Sequence, residues 1–375
     1  MNHFADNTTE RYTLDGIPKV NFYDGTRCPE DVPFPGCLRS FLEYKGENKG
    51  CSHAPEYDAK SGAPCGNVLI MNASGAAYRL LWKPGWYMEN ADIMFMADDP
   101  VEPIDRAFKA IGYDYEYIGK DDPQYNEASL RRLIIESIRD RKNPVLALGV
   151  VGPPECSIIT GYDDDGDVLI GWSYFQGFPE FAEGLEFEST GEFRKRNWFK
   201  DTAGLILIGE KHEAPTTRET LWQVLSWALE VIHTPLIHGR YNGLAAYDAW
   251  IEELLDDSSF NKDDMTALNE HYFVHYDAVG VVAEGRWYAS VYLRQMAKLH
   301  PEVADDLTAA ADCFEAEHDL MWAVWEFAGG NAMTDVQVMK LAERGVRLRI
   351  VPMIRLSAEK DAQAADHMER ALTRL

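Results

Sequence analysis

The sequence predicts an α+β domain followed by an all-α domain. Three observations support this fold class. The chain has 375 residues, which exceeds the size of a typical single domain. Short apolar runs rich in β-branched residues cluster between residues 144 and 210, whereas the apolar spacing becomes helical after residue 212. The expected domains are therefore residues 1–212 and residues 213–375.

The first domain is expected to open with a helix that begins at a cysteine. Residues 1–36 are irregular and contain several prolines and glycines, and the segment CLRSFLEYKG follows at 37–46. Its apolar residues fall on one helical face, and Gly46 supplies a stop signal, so Cys37 is predicted in the first turn. The same spacing predicts helices over 104–111 and 126–140.

An antiparallel sheet is expected next. Its predicted strands are residues 144–151, 156–163, 167–174 and 204–210. The sequence DDDG at 163–166 joins the second and third of them, and its glycine suits the left-handed position of a hairpin turn.

The second domain is marked by helix-terminal residues. Thr216 and Glu219 form a capping-box pattern that predicts a helix over 217–232. Other expected helices begin after Gly243, at Pro301 and after Thr334, and the last one covers 357–373.

The charge balance indicates which partners the protein avoids. With 36 basic and 62 acidic residues the net charge is −26, which disfavours nucleic acid and anionic membrane surfaces as partners. Such a charge suits an amine-bearing ligand, although it also serves solubility alone. The sequence contains no stretch long enough to span a membrane and no secretory signal, and we expect a cytoplasmic protein.

No cofactor and no metal ion are predicted. The six cysteines are too few for a disulfide scaffold, and Cys51 and Cys65 with His53 fit no zinc-binding spacing. The sequence also lacks a glycine-rich phosphate loop and the H-E-x-x-H and G-x-S-x-G motifs.

Cys37 is the candidate nucleophile. A helix N-terminus stabilises a thiolate, so a cysteine in the first turn has a use in covalent catalysis. The alternative is that Cys37 is a small buried apolar residue.

The order of these elements resembles the papain-like cysteine peptidase and acyltransferase superfamily. Within that superfamily, the chain is similar to the family of the butirosin biosynthesis protein H N-terminal domain. The residues that carry the likeness are CLRSFLEYKG, the later strand with GYD at 161–163, and the helical segments NGLAAYDAW (242–250) and GRWYASVYLRQM (285–296). The resemblance implies a papain-like domain with a nucleophile helix on an antiparallel sheet.

The same resemblance implies acyl-enzyme chemistry. Cys37 would form a thioester in an acyl transfer to, or amide cleavage of, a small amine-bearing molecule. An acyl carrier protein is one expected acyl donor. Formation of a homodimer through the helical half is a further alternative.

Carrying the superfamily's catalytic positions onto this chain reveals departures. The histidine position falls on Glu155, the asparagine or aspartate position falls near Trp172, and the oxyanion-hole glutamine falls near Asp31. We therefore predict Glu155 as the base or amine anchor, within about one side-chain length of Cys37. Asp31 and Trp172 are expected to line the site. Further aromatic ligand contacts are expected from Trp82, Trp86 and Tyr174.

Three alternatives remain at this stage. His271 and His275 lie four residues apart. One of them could complete the site from the helical half, the two together could bind a metal, or both could simply be exposed. A register slip of one residue would direct Cys156 rather than Glu155 toward Cys37. Finally, the site could be silent, which would make the protein a non-catalytic binder of a small cationic molecule.

Overall fold

The computed structural model describes residues 9–22, 30–47, 66–88 and 96–375. Cys28, Cys51, His53 and Cys65 lie outside the described residues. The helices are α1 (Pro33–Tyr44), α2 (Gly66–Ser74), α3 (Glu102–Ile111), α4 (Glu127–Ile135), α5 (Thr217–His233), α6 (Leu244–Leu255), α7 (Met265–Leu299), α8 (Ala304–Ala328), α9 (Asp335–Leu341) and α10 (Arg344–Leu372). The strands are β1 (Tyr12–Thr13), β2 (Leu81–Trp82), β3 (Tyr113–Gly119), β4 (Val145–Leu148), β5 (Cys156–Asp163), β6 (Val168–Ser173), β7 (Leu185–Phe187), β8 (Phe193–Arg196), β9 (Gly204–Lys211), β10 (Leu236–Ile237) and β11 (Arg240–Asn242).

The chain divides into two compact units. In the described part, the first unit contains the residues before 48, residues 66 and 67, and Ile111–Ala214, and we call it the α+β unit. The second contains the described residues of Val68–Ala110 together with Pro215–Leu375, and we call it the helical unit. The units therefore differ from the continuous division predicted at 212/213, because a segment of the first half of the chain belongs with the later helices.

The α+β unit is built on one antiparallel sheet. Its strand order is β3-β9-β4-β5-β6-β8-β7, and β1 pairs with the second half of β5. The four strands predicted from apolar runs are all present as β4, β5, β6 and β9. Strand β5 lies between β4 and β6, so its first residues are fixed on both sides by main-chain hydrogen bonds.

The turn between β5 and β6 is confirmed at DDDG. Asp164, Asp165 and Gly166 all have positive φ angles, of 51°, 54° and 88°. Aspartate tolerates this conformation better than most residues because its short side chain hydrogen-bonds locally. The preceding Asp163 is extended, and its carboxylate accepts a hydrogen bond from the Asp164 N–H at 2.9 Å.

The helical unit contains the helices from α5 onward. Its core combines aromatic and aliphatic side chains from β2, α6, α7, α8 and α10. The expectation that 213–375 is entirely helical is wrong in detail, because β10 and β11 pair with each other and with β2. The last helix also begins earlier than predicted, at Arg344, and continues through Pro352.

None of the helices in the described part of the chain combines the length and the apolar character needed to cross a bilayer.

Candidate functional site

Helix α1 carries Cys37, but the helix begins four residues before it. Pro33 and Pro35 occupy the first turn, where a missing N–H costs no hydrogen bond and the proline ring presets φ. Cys37 is therefore the fifth helical residue, and the prediction that it lies in the first turn is wrong. The field of a helix terminus falls off within one turn, so Cys37 lies beyond its strongest part.

The α1 helix approaches the sheet closely just before Cys37. A Cβ atom at Gly36 would lie 1.8 Å from the hydroxyl oxygen of Tyr174, which follows β6. Only glycine permits this approach, and Cys37 is consequently held with no solvent exposure. Tyr174, predicted as a ligand contact, is itself buried in this packing.

Cys37 contacts the first residue of β5, which is Cys156. The Cys37 thiol donates to the main-chain oxygen of Cys156 at 3.5 Å, and the Cys156 thiol donates to the main-chain oxygen of Ser157 at 3.8 Å. Burial raises the pKa of the Cys156 thiol well above its ordinary value, and the neighbouring Cys37 and Glu155 raise it further. Cys156 is therefore a protonated thiol at neutral pH. The sequence named Cys156 only as the outcome of a one-residue slip.

Glu155 lies at the start of β5, one residue before Cys156, and is partly exposed. Its main-chain oxygen accepts a hydrogen bond from the Gly149 N–H at 3.1 Å, which closes the loop between β4 and β5. Its carboxylate is near enough to the Cys156 thiol to raise that thiol's pKa. The role predicted for Glu155 as base or amine anchor stays a prediction.

The acidic residues before α1 do not form a simple negative ring around Cys37. Glu30 is buried and accepts a hydrogen bond from Arg39 at 2.7 Å, so its charge is balanced within the fold. Asp31 is partly exposed. Trp172 is buried on β6, with the Lys19 ammonium 5.9 Å from its ring centroid.

Trp82 and Trp86 belong to the helical unit. Both are core residues there, and their ring centroids lie 5.4 Å apart. Trp82 also stacks on Trp250, and Trp86 stacks on His271 at 4.9 Å. These contacts give both tryptophans a packing role in that core.

The histidine pair of α7 is not exposed. His275 is buried, its Nδ1 accepts a hydrogen bond from the Trp250 indole N–H at 3.2 Å, and burial lowers its pKa to about 3. His271 Nδ1 donates to the Ser259 carbonyl at 2.9 Å, and burial also lowers its pKa. Both imidazoles are neutral and held by the core. In the described ranges no group of three metal-ligating side chains is present.

The α+β unit has one histidine in its described part, and that residue is engaged elsewhere. His212 Nε2 lies 2.6 Å from an Asp114 carboxylate oxygen, which raises the pKa of the imidazole. Both residues are exposed; His212 directly follows β9 and Asp114 is on β3. A Cys–His pair is therefore absent among the described residues of this unit.

A cleft of about 440 Å³ opens in the α+β unit beside the β4–β5 loop. Gly149 and Gly152 shape the loop with φ angles of 79° and 93°. A Cβ at Gly149 would lie 2.7 Å from the Asp201 carbonyl oxygen, and one at Gly152 would lie 2.6 Å from the Phe175 side chain. The loop thus follows a path that larger residues would disturb.

The cleft is lined by both signs of charge. Its charged residues are Lys120, Lys195, Lys200, Glu180, Glu183 and Asp201. Lys195 is only 8% exposed, and its Nζ lies 2.7 Å from an Asp201 carboxylate oxygen. Lys120 and Lys200 are exposed and form no ion pair within the described part of the chain.

This cleft is not predicted by the sequence. The signal present in the sequence was the basic run FRKR at 193–196 in a strongly acidic chain. Pro154 lines the cleft two residues before Cys156, whereas Cys37 is not among the lining residues.

Neither the protein-family models nor the curated proteins include a match to this sequence.

Proposed function

We propose that the α+β unit binds a small charged molecule in the cleft beside the β4–β5 loop, without covalent chemistry at Cys37. The observation that carries this proposal is the nearly buried Lys195 in a cleft whose other charged lining residues are two lysines, two glutamates and Asp201. The volume of about 440 Å³ is within the range of small-molecule sites.

The lining charges define the chemical class of the ligand. Lys195 and Asp201 neutralise one another, which leaves Lys120, Lys200, Glu180 and Glu183 as the other charged residues that line the cleft. A zwitterion would satisfy both pairs, with its carboxylate or phosphate toward the lysines and its amine toward the glutamates. This retains the amine-bearing ligand expected from the sequence and adds an acidic group to it.

Isothermal titration calorimetry of the full chain tests the proposal. The probes are L-glutamate and L-lysine as zwitterions, with succinate and putrescine as purely anionic and purely cationic comparisons. We expect at least one zwitterion to bind more tightly than either comparison, and Lys200→Met to weaken that binding by roughly 10- to 100-fold, as expected for a lost charge-assisted hydrogen bond.

Lys211→Met is the matched control, because Lys211 lies on β9 of the same unit and pairs with Glu47 outside the cleft. Lys200 is the better first target than Lys195, since removing Lys195 would leave Asp201 without its partner. Binding that is unchanged in both Lys200→Met and Lys195→Met would exclude the cleft as the site, and so would a failure of every probe to bind.

A second candidate is acyl transfer through a thioester at Cys37, with an acyl carrier protein as donor and an amine as acceptor. The observation that favours it is the contact of the Cys37 thiol with the start of β5, beside the Glu155 carboxylate. In that chemistry Glu155 would take the thiol proton while the sulfur attacks the acyl carbonyl.

Alkylation rates distinguish the two candidates. Iodoacetamide reacts with accessible thiolates, and Cys37, Cys156 and Cys313 are all buried. We expect Cys37 to label as slowly as Cys156 and Cys313 in the native protein, as measured by mass spectrometry of partially labelled samples. A Cys37 that labels much faster than the other two would favour the acyl-transfer candidate.

A further inference from the structure

Three aromatic rings form a row on the surface of the helical unit, where α7 packs against α8. The Trp322 side chain of α8 is 41% exposed. The centroid of the His318 ring lies 6.2 Å from the Trp322 ring, and the Trp287 ring of α7 lies 5.2 Å from His318. Trp287 and His318 are half-buried. We call these three side chains the aromatic surface.

Two hydrogen bonds in series fix the orientation of Trp322. His318 Nδ1 donates to the Ala283 carbonyl of α7 at 2.8 Å, because a carbonyl oxygen can only accept. His318 Nε2 accepts from the Trp322 indole N–H at 3.0 Å. With one nitrogen donating and the other accepting, the imidazole is neutral and does not repel a cation. The Trp325 ring supports Trp322 from α8, at 5.0 Å between centroids. An exposed ring held in this way is ordered before any ligand arrives.

Two carboxylates flank Trp322. Asp319 precedes it by three residues and Glu326 follows it by four, so both lie beside it on the same face of α8. Both are exposed, and neither forms an ion pair within the ranges that the structure describes. The ring at the centre of the aromatic surface is therefore bordered by negative charge on both sides along the helix.

The cations of the same two helices are engaged elsewhere. Helix α8 contains no lysine or arginine. On α7, Arg286 is buried with Asp361, and Arg294 pairs with Asp312 at 2.8 Å. The remaining one, Lys298, lies in the last turn of α7, eleven residues beyond the tryptophan of the aromatic surface.

Other exposed rings of this chain are covered by the chain's own cations. Phe327 is 39% exposed, and the Arg349 guanidinium lies 5.6 Å from its ring centroid. Tyr87 is 45% exposed, and the Lys83 ammonium lies 3.9 Å from its ring centroid. Neither tryptophan of the aromatic surface is covered by a lysine or arginine from the described part of the chain. Their faces are open to a cation from solution.

We propose that the aromatic surface binds a small organic cation that carries a quaternary ammonium group. The face of an indole ring attracts a cation through its quadrupole, and tryptophan does so best among the aromatic side chains. Asp319 and Glu326 add the opposite charge beside the ring. The site belongs to the helical unit, whereas the cleft belongs to the α+β unit, so this inference does not depend on the ligand proposed for the cleft.

The test is a titration of the full chain with choline, followed by NMR of tryptophan labelled with nitrogen-15. Each of the ten tryptophans contributes one indole N–H signal, and Trp322→Leu assigns the signal of Trp322 by its loss. The comparison is the uncharged alcohol in which carbon replaces the choline nitrogen, with sodium chloride keeping the ionic strength constant. We expect choline to shift the Trp322 signal saturably, with a dissociation constant in the millimolar range, and the uncharged alcohol to bind at least about 5-fold more weakly.

Variants locate the site. Trp322→Leu should abolish the saturable choline shift of the remaining signals. Asp319→Asn combined with Glu326→Gln should weaken choline binding by roughly 3-fold, as expected for exposed charges. Trp222→Leu is the matched control, because Trp222 is 52% exposed on α5 of the same unit but lies one turn after Arg218. It should leave the choline affinity unchanged.

Three outcomes would overturn the proposal. The first is equal binding of choline and the uncharged alcohol, which would mean apolar contact alone. The second is saturable choline binding that persists in Trp322→Leu. The third is a Trp322 signal that choline does not shift, or shifts no more than it shifts the other nine signals. The wild-type titration reports the second and third readouts on a folded chain, so loss of folding in a variant would not protect the proposal.

Discussion

Three ionisable side chains with no solvent exposure meet in the helical unit. They are Arg286 on α7, Glu317 on α8 and Asp361 on α10. The Arg286 guanidinium donates to both Asp361 carboxylate oxygens, at 3.0 and 2.6 Å, and to the Ala77 carbonyl at 2.9 Å. The Tyr247 hydroxyl from α6 lies 3.0 Å from a Glu317 oxygen and 2.9 Å from Asp361.

The protonation states follow from burial. Burial and the adjacent Asp361 charge raise the pKa of Glu317 well above its ordinary value, although Arg286 opposes this shift. Glu317 is therefore a neutral acid, and Asp361 carries the negative charge that balances Arg286. One cation with one anion is the arrangement that a site without water tolerates.

Two amide substitutions distinguish the two carboxyl groups. Asp361→Asn leaves Arg286 as an uncompensated buried charge and should lower the free energy of unfolding by about 3–5 kcal/mol. Glu317→Gln replaces a neutral acid by a neutral amide of the same shape and should cost only about 1 kcal/mol. Urea denaturation at neutral pH measures both values.

The pH dependence supplies a control for the same prediction. A carboxyl with a raised pKa in the folded state binds its proton more tightly there, so its stabilising effect is present at low pH and lost as pH rises through the folded pKa. Glu317→Gln should remove that part of the pH dependence. Equal losses of stability for Glu317→Gln and Asp361→Asn would mean that Glu317 is ionised in the folded protein.

At the scale of single elements, the sequence predicted helix ends best where a side chain caps them. Thr216 and Glu219 form the expected capping box, and α5 begins at Thr217. The start of α1 was misjudged because Val32 provides no side-chain cap, so no local marker preceded the prolines. A helix end without a capping side chain is set by packing, which the sequence does not reveal locally.

Helix α10 illustrates how packing overrides a local signal. The sequence predicted the last helix only over 357–373, whereas α10 begins at Arg344. Pro352 within it lacks an N–H and removes one intrahelical hydrogen bond. Ile350, Val351 and Ile354 surround the proline and are all buried. Their burial offsets the lost bond, and the helix continues through it.

Strand β3 shows a signal that was overlooked. Its sequence YDYEYIG alternates tyrosines with acidic residues, which is the period of a half-exposed strand. The candidate site was harder to predict, because the contact of Cys37 with Cys156 depends on a strand register that only the folded sheet fixes. The burial of Glu317 and Asp361 was likewise hidden, since their partners are on other helices.

For the molecule as a whole, charge is distributed unevenly along the chain. Residues 214–330 contain 20 acidic and 6 basic side chains, whereas residues 331–375 contain 6 acidic and 8 basic ones. Basic residues near both ends of α10 pair with acidic residues of the same unit. Arg370 and Arg374 each lie 3.1 Å from an Asp306 oxygen, and Arg347 lies 2.5 Å from Asp257.

These pairs offset only part of the net charge of −26. Each exposed ion pair contributes about 1 kcal/mol or less to the free energy of unfolding. Added salt weakens the attraction between charges in contact less than it weakens the repulsion between like charges at longer distances. We therefore expect the melting temperature to rise by about 2–4 °C when sodium chloride is raised from about 10 mM to about 150 mM, where the screening length is about 8 Å. Differential scanning fluorimetry measures the change, and sucrose at equal osmolality separates screening of charge from a general solute effect. A melting temperature that falls with salt would show that ion pairs such as those of Asp306, and not the net repulsion, dominate the electrostatic free energy of this chain.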